Sequence, residues 1–292
     1  MKIVVFTEMK WAMGRTHTDI AKSLPYEFEF IDWSNYDGDH FMDLYNKCDV
    51  MITNLVASRV LGHLNQRKIL YISHGFEEHN SLYVDPSWNL GMVSNTIEHL
   101  FPSGSKIFLT PNGVDPVNFD YKERDGSLKT LGWCGAPNVW FKQPYWNVEI
   151  SRKTGIPLRI TSGTPCEDDF SKWTPLNYQQ IREWYSTIDL LLVTSIPEGM
   201  YETGPLPSFE AIASGVPVIG TPVGNFANIP GPKFKTIDEA TEIINVLKSD
   251  PHKMKELAKE QYDYVIKHYT YQMFAHKWQE AIEYVYSRNK DI

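Results

Sequence analysis

Residues 198–219 read Glu-Gly-Met-Tyr-Glu-Thr-Gly-Pro-Leu-Pro-Ser-Phe-Glu-Ala-Ile-Ala-Ser-Gly-Val-Pro-Val-Ile and hold the densest set of chemically useful groups in the chain. A Gly204-Pro205 turn opening a helix leaves backbone N–H groups without intrahelical partners. Those donors, with the helix dipole behind them, suit an anion such as a diphosphate. Gly204 is therefore a candidate for contact with the anion, because a residue without Cβ lets backbone and ligand approach closely. Glu202 precedes the helix and Glu210 lies about a turn inside it. A carboxylate accepts through two oxygens, which matches the paired hydroxyls of a ribose or a hexose. Either glutamate alone reads equally as an acid favoured by the helix dipole; the pair, set between Gly-Pro and Ala-Ser-Gly-Val-Pro-Val, is more specific.

On residue type alone Lys142 reads as an ordinary solvated lysine, and His74, at the carboxyl end of a strand, as a cleft-facing group or a mere cap of that strand. Other chemistries find little support. Asp37-Gly-Asp39 has metal-binding spacing but lies in a polar turn before a helix, and no His/Cys/Asp cluster is spaced for a metal. There is no nucleophile elbow and no Walker loop. The first strand is followed by Thr-Glu-Met-Lys-Trp-Ala-Met-Gly14, which lacks the Gly-x-Gly-x-x-Gly turn of a nicotinamide dehydrogenase.

These groups need elements to position them, and the chain supplies two similar sets. Short apolar runs alternate with helical patterns. In the first half they give strands at Ile3–Phe6, Phe28–Ile31, Val50–Asn54, Ile69–Ser73, Met92–Val93 and Ile107–Leu109. Helices are expected at Arg15–Leu24, opened by Gly14, and at Ser58–Gln66 and Asn95–Phe101. Pro111–Pro116 and Asp120–Ser127 break the pattern with turn residues and charge. It restarts with strands Leu128–Trp133, Leu158–Thr161, Leu190–Val193 and Val216–Ile219, and helices Tyr145–Lys153, Tyr178–Ser186 and Leu206–Ser214. Such alternation predicts parallel sheets with helices on both faces, and ligands at the carboxyl ends of the strands, in the cleft between two such domains. Thr236 with Glu239 forms a capping box, and Asp250-Pro251 starts a further helix. In the last helix Tyr271, Phe274, Trp278, Ile282 and Val285 recur at three- and four-residue steps, one apolar face seeking a domain to pack on.

Composition sets outer limits. The 292 residues are 42% hydrophobic and 22% charged, with a net charge of −8, enough apolar material for two cores. Residues 1–127 carry 11 Lys/Arg against 17 Asp/Glu, with no basic cluster, which argues against a nucleic-acid partner without excluding it. Cys48, Cys134 and Cys166 read as buried thiols in a reducing compartment, so a cytoplasmic location is expected. The apolar run at the start is too short for a signal peptide, and no run is long enough to span a bilayer, leaving only peripheral membrane contact.

The 202–219 stretch resembles the sugar-donor signature of family-four retaining glycosyltransferases: two glutamates separated by seven residues, a small-residue helix, then Gly-x-Pro-Val-Ile. Gly14 with its helix resembles that family's first glycine loop, and Thr110-Pro-Asn-Gly-Val-Asp115 its interdomain motif. Gln180–Ser195, with Trp184-Tyr185, is similar to the segment before its donor loop, and His268-Tyr-Thr-Tyr with Trp278 to its final helices. The resemblance spans nearly the whole chain.

It implies the GT-B architecture, an α/β fold of two Rossmann-like parallel-sheet domains facing a central cleft. The domains would be residues 1–117 (acceptor-binding) and 118–268 (nucleotide-sugar-binding), with 269–292 crossing back onto the first. It implies retaining transfer of a hexose-type sugar from a nucleoside diphosphate sugar to a hydroxyl, with no metal or other cofactor. By the same resemblance Glu210 holds the nucleotide ribose and Glu202 the sugar hydroxyls. Thr203–Leu206 and Lys142 lie along the diphosphate, Gly14 contacts substrate, and His74 sits near the sugar. The chain departs from the pattern at Gly135-Ala136, where an arginine is expected. The acceptor would meet loops Glu8–Met13 and Phe76–Trp88. Charge favours a glycan or lipid-linked sugar there over a modified nucleic-acid base. A nucleotide-sugar 2-epimerase on the same fold, and a relative that binds nucleotide-sugar or glycan without transfer, are the alternatives.

Overall fold

A computed structural model of the chain describes residues 1–9, 12–75, 79, 82–161, 171–173, 176, 178–197 and 201–290. Two compact units emerge: Met1–Gly113 together with Tyr271–Ile292, and Val114–Thr270. Val114 forms a parallel bridge with Thr270, and its N–H donates to Tyr269 O at 2.9 Å, which ties both ends of the 114–270 segment into the second unit. The divisions thus fall at 113/114 and 270/271, a few residues from the expected 117/118 and 268/269.

The first unit is built on a six-stranded parallel sheet: β1 (Lys2–Thr7), β2 (Glu27–Asp32), β3 (Val50–Asn54), β4 (Ile69–Ser73), β5 (Asn89–Met92) and β6 (Lys106–Leu109), in the order β2-β1-β3-β4-β5-β6. Ile3 pairs with both Phe28 and Val50, and Ile52 with Leu70, so the most apolar strands lie in the middle. β3 and β4 are buried at every residue, as strands covered on both faces must be, and this is why they read as unbroken apolar runs.

The Tyr271–Lys290 helix completes the unit. Its apolar stripe of Tyr271, Phe274, Trp278, Ile282 and Val285 is buried. Trp278 Nε1 donates to Pro111 O at 3.2 Å. Arg288 Nη1 donates to Ser87 O (3.0 Å) and to Asn89 Oδ1 (2.7 Å). Asn89 in turn donates from Nδ2 to the carbonyls of Gln66, Arg67 and Ile69, stitching this helix to the sheet.

The second unit has a five-stranded parallel sheet: β7 (Leu131–Cys134), β8 (Leu158–Thr161), β9 (Ser171–Trp173), β10 (Leu190–Val193) and β11 (Val218–Gly220), in the order β11-β10-β7-β8-β9. Its helices span Pro144–Thr154, Tyr178–Tyr185, Leu206–Ala213, Ile237–Ser249 and Pro251–His268. Thr236 and Asp250 cap the last two through side-chain oxygens, as their types predict. Together with the returning helix of the first unit, this is the GT-B architecture.

Several local expectations are corrected. The first helix spans Ala12–Lys22, so Gly14 lies inside it and does not open it. The glycine is demanded by packing, because a Cβ there would lie 2.6 Å from Met9 Cα and 2.8 Å from Glu8 O. Ser58–Gln66 is not one helix. A four-residue helix, Ser58–Leu61, is followed by a separate 3-10 turn, Gln66–Lys68, which the Asn65 side chain caps. Asn95–Leu100 is likewise 3-10, with Ser94 as its cap. β7 begins at Leu131, not Leu128, because the N–H groups of Lys129 and Thr130 go to the Asp189 carboxylate, each at 2.9 Å. β11 begins at Val218 because the Val216 N–H turns back to Ala211 O and Pro217 has none. β9 is a three-residue edge strand without an apolar run to announce it.

Candidate active site

In the second unit, the candidate groups gather at the carboxyl ends of β7 and β10. The chain leaves β10 through Thr194 and Ser195, both buried. Thr194 Oγ1 donates to Lys142 O at 2.9 Å and accepts from Asn147 Nδ2 at 2.9 Å, fixing the turn that carries the lysine. That turn, Trp140–Lys142, ends in Gln143 with φ of 45°, the sole non-glycine residue of positive φ among those described. Lys142 Nζ reaches Glu202 Oε2 at 2.5 Å, and Ser195 Oγ donates to the same oxygen at 3.3 Å. The carboxylate keeps only 11% of its side-chain surface exposed and the lysine 25%, so solvent screens this pair less than a surface pair.

The segment after Glu202 is held by its backbone. Thr203 O accepts the Asn225 N–H at 2.9 Å, and Gly224, at φ of 43°, lies so close that a Cβ would be 2.1 Å from Thr203 O. Thr203, Gly204, Pro205 and Leu206 are all buried. They lead into the Leu206–Ala213 helix, whose cap position is Pro205 with no side-chain cap. The expected row of unpaired N–H groups is shorter than the sequence suggests. Pro207 has none, and the Ser208 N–H is taken by Pro205 O at 2.9 Å, so Leu206 alone among the first three helical residues presents one.

Glu210 lies in the second turn of that helix and is 5% exposed. Tyr185, fully buried at the end of the Tyr178–Tyr185 helix, donates its hydroxyl to Glu210 Oε2 at 2.8 Å. An oriented, buried carboxylate of this kind is pre-organised to accept from a ligand hydroxyl. At the position where the resemblance expects an arginine, a Cβ on Gly135 would lie 2.8 Å from the Trp133 ring and 3.4 Å from Lys142 Cδ. The indole and the lysine stem fill the space a longer side chain would need.

Gly14 and His74 belong to the first unit, so Lys142, Glu202, Thr203–Leu206 and Glu210 are the expected residues that one unit brings together. His74 follows β4, and its Nε2 lies 3.1 Å from Asn54 Oδ1. The Asn54 amide nitrogen donates to Thr7 Oγ1 at 3.1 Å, so its oxygen receives the histidine N–H, and the neutral ring carries its lone pair on Nδ1. Burial pushes His74 down to about 4. Next to it stands His17, 1% exposed, its ring centroid 6.5 Å from that of His74 and 5.9 Å from that of Trp278. Burial, and to a lesser degree His74, pushes His17 to about 3. Asp37 is the N-cap of the Gly38–Lys47 helix, accepting from the His40 N–H, which accounts for one acid of the Asp-x-Asp spacing. Cys48 is buried and Cys134 half-buried. Cys166, Glu198–Met200 and parts of the two loops expected to meet an acceptor lie outside the described residues.

Tyr185, Ser195 and the aromatic neighbours of Lys142 were not singled out by residue type. Tyr185 stands in the Trp184-Tyr185 pair that carries the resemblance, but nothing in the sequence aims its hydroxyl at Glu210, 25 positions on.

The fold of the two units is of the GT-B kind. Residues 146–280, a little under half of the chain, match the family model described as "Glycosyl transferase-like", so the chain carries a domain of that kind. No curated protein sequence matches the chain. Solved structures agree over its full length. AviGT4, a glycosyltransferase involved in avilamycin A biosynthesis, is 13% identical with a TM-score of 0.70, covering 98% of each chain. HepE of Anabaena, solved with UDP, is 14% identical with a TM-score of 0.67, covering 97% of this chain and 100% of its own. An alpha-glucosyltransferase, solved with UDP and a DNA containing an HMU base, is 12% identical with a TM-score of 0.67, covering 98% and 99%. At such identities the likeness is one of fold.

No helix among the described residues is long and apolar enough to cross a membrane.

Proposed function

We propose that this protein is a retaining, metal-independent glycosyltransferase of the cytoplasm that moves a hexose-type sugar from a nucleoside diphosphate sugar to an acceptor hydroxyl. The observation that carries the reading is the Lys142–Glu202 pair beside the start of the Leu206–Ala213 helix, with Glu210 oriented by Tyr185 further along that helix. Glu210 accepts from the ribose hydroxyls and Glu202 from those of the sugar. Lys142 and the Leu206 N–H take up charge as it develops on the leaving diphosphate, a stabilisation realised mostly in the transition state. In the reaction the acceptor oxygen bonds to the sugar C1 as the bond from C1 to the phosphate oxygen breaks. The acceptor proton passes to a phosphate oxygen, and nucleoside diphosphate departs. That HepE was solved with UDP and with UDP-glucose supports a nucleotide-sugar as the donor. The net charge of −8 favours a glycan or lipid-linked sugar as acceptor over a nucleic-acid base.

A panel of nucleoside diphosphates and nucleotide-sugars, read by thermal shift, tests this. We expect a shift with one base that disappears in Glu210→Ala; no shift with any member overturns the reading. Gly135 favours a second reading, a relative that binds nucleotide-sugar without transfer, since one cation faces the diphosphate where two are expected. That reading predicts the same shift with no release of nucleoside diphosphate on addition of any hydroxyl acceptor.

A further inference from the structure

The Trp140–Lys142 turn meets the Tyr201–Glu202 segment through two kinds of contact. Lys142 pairs with Glu202, and the residues before them pack ring on ring. Trp140 stands edge-on to Tyr201 with centroids 4.9 Å apart, while Phe141 stacks on Tyr201 at 5.5 Å and 18°. Phe141 is buried by this arrangement, yet Trp140 remains 58% exposed. Among the described residues it is the one tryptophan exposed by more than a third. Single exposed apolar side chains are common and need no explanation. This one differs because its ring is fixed by Tyr201, whose chain neighbour Glu202 is half of the ion pair.

From this arrangement we infer that the exposed face of Trp140 is a subsite for a hexopyranose ring, an inference that rests on reading Lys142 and Glu202 as a sugar site. A pyranose has a face of C–H bonds, weakly positive, that lies against the negative face of an indole. Its rim of hydroxyls needs acceptors and donors, which an adjacent carboxylate and ammonium supply. A rigid aromatic ring beside such a pair binds without first having to order the side chain. The sugar on Trp140 belongs either to the nucleotide-sugar or to the acceptor, and the chemistry of the face is the same for both.

Saturation-transfer NMR on the full chain tests this with methyl α-D-glucopyranoside, methyl α-D-mannopyranoside and methyl β-D-galactopyranoside as probes. We expect transfer to the C–H face of at least one of them. Trp140→Ala should weaken the interaction roughly tenfold, and Trp140→Phe should keep most of it. The melting temperature of Trp140→Ala should stay at the wild-type value, as befits an exposed side chain. Absence of transfer with all three probes, or equal transfer in Trp140→Ala, overturns the subsite. The nucleoside diphosphate that gives the thermal shift is then added. Abolition of transfer by that nucleotide means the ring holds the base, and also overturns it. Abolition only by the corresponding nucleotide-sugar assigns the subsite to the donated sugar; persistence with both assigns it to the acceptor. Nucleotide binding without pyranoside transfer removes this inference and leaves the proposed function standing. Pyranoside transfer without any nucleotide shift does the reverse.

Discussion

Acidification should destabilise the protein through His17 in particular. The ring is buried, and both of its nitrogens lack a hydrogen-bond partner among the described residues. Its pKa falls from an ordinary 6.5 to about 3 in the fold, chiefly through burial. The folded state therefore prefers the neutral ring more strongly than the unfolded chain does. Its contribution is present in full above 6.5, the unfolded pKa, and is lost as the pH falls from there towards 3. At pH 5 the unfolded chain gains RT ln(1 + 10^1.5), about 2 kcal/mol, from binding a proton that the fold refuses. Across the whole window the loss approaches about 5 kcal/mol, comparable to the entire stability of many domains.

The assay is urea unfolding at pH 8 and pH 5 for the wild type and His17→Phe, compared as differences so that acid effects on carboxylates cancel. We expect the loss of stability between the two pH values to be about 2 kcal/mol smaller in the variant. At pH 8 His17→Phe should be close to neutral, because an apolar ring replaces two unsatisfied nitrogens. Identical pH dependence in the two proteins would refute the reasoning, since it would mean that water or a rearranged neighbour already accommodates the charged ring.

Three further outcomes are expected. Lys142→Met should lower kcat/KM for sugar transfer by roughly 100-fold or more, measured as nucleoside diphosphate release, because the leaving diphosphate loses its cation and Glu202 its partner. Asn89→Ala should cost about 2–4 kcal/mol in chemical denaturation, since it removes the bonds that Asn89 makes to three carbonyls and to Arg288, yet leave the nucleotide-induced thermal shift intact. Gly224→Ala should weaken nucleotide binding by pushing Thr203 aside, whereas Gly155→Ala, equally left-handed but with nothing within 4 Å of its missing Cβ, should cost about 1 kcal/mol and leave binding unchanged; isothermal titration separates them.

How far the molecule was legible in its sequence depended on the range of the signal. Strands β1, β3, β4 and β10 announce themselves because both of their faces are covered, which leaves apolar runs such as Val-Met-Ile-Thr and Leu-Leu-Leu-Val. The cap at Thr236 is a local hydrogen bond and could be read from two residue types. Strand β9 could not, since Ser-Lys-Trp is three residues without an apolar run. The starts of β7 and β11 shifted because Asp189, distant in sequence, takes the N–H groups of Lys129 and Thr130, and the turn closing the preceding helix takes that of Val216 through Ala211 O. In the site, the spacing of Glu202 and Glu210 was visible because one precedes and the other lies within a single helix. The contact of Glu202 with Lys142 spans 60 positions and that of Glu210 with Tyr185 spans 25; only the fold reveals such partners. Gly14 was noticed for the right residue type but the wrong reason, as it admits a neighbouring backbone rather than starting a helix.

The bridge between Val114 and Thr270 has a consequence for how this chain can be cut and rebuilt. Residues 114–270 begin and end on hydrogen-bonded neighbours, while the stretches on either side, 1–113 and 271–292, together make the other unit. In topological terms the second unit is an insert within a host, its two junctions side by side. Such an insert resembles a cassette, a segment that can be excised, expressed alone or exchanged for another with adjacent ends, provided the host segments are joined by a short linker.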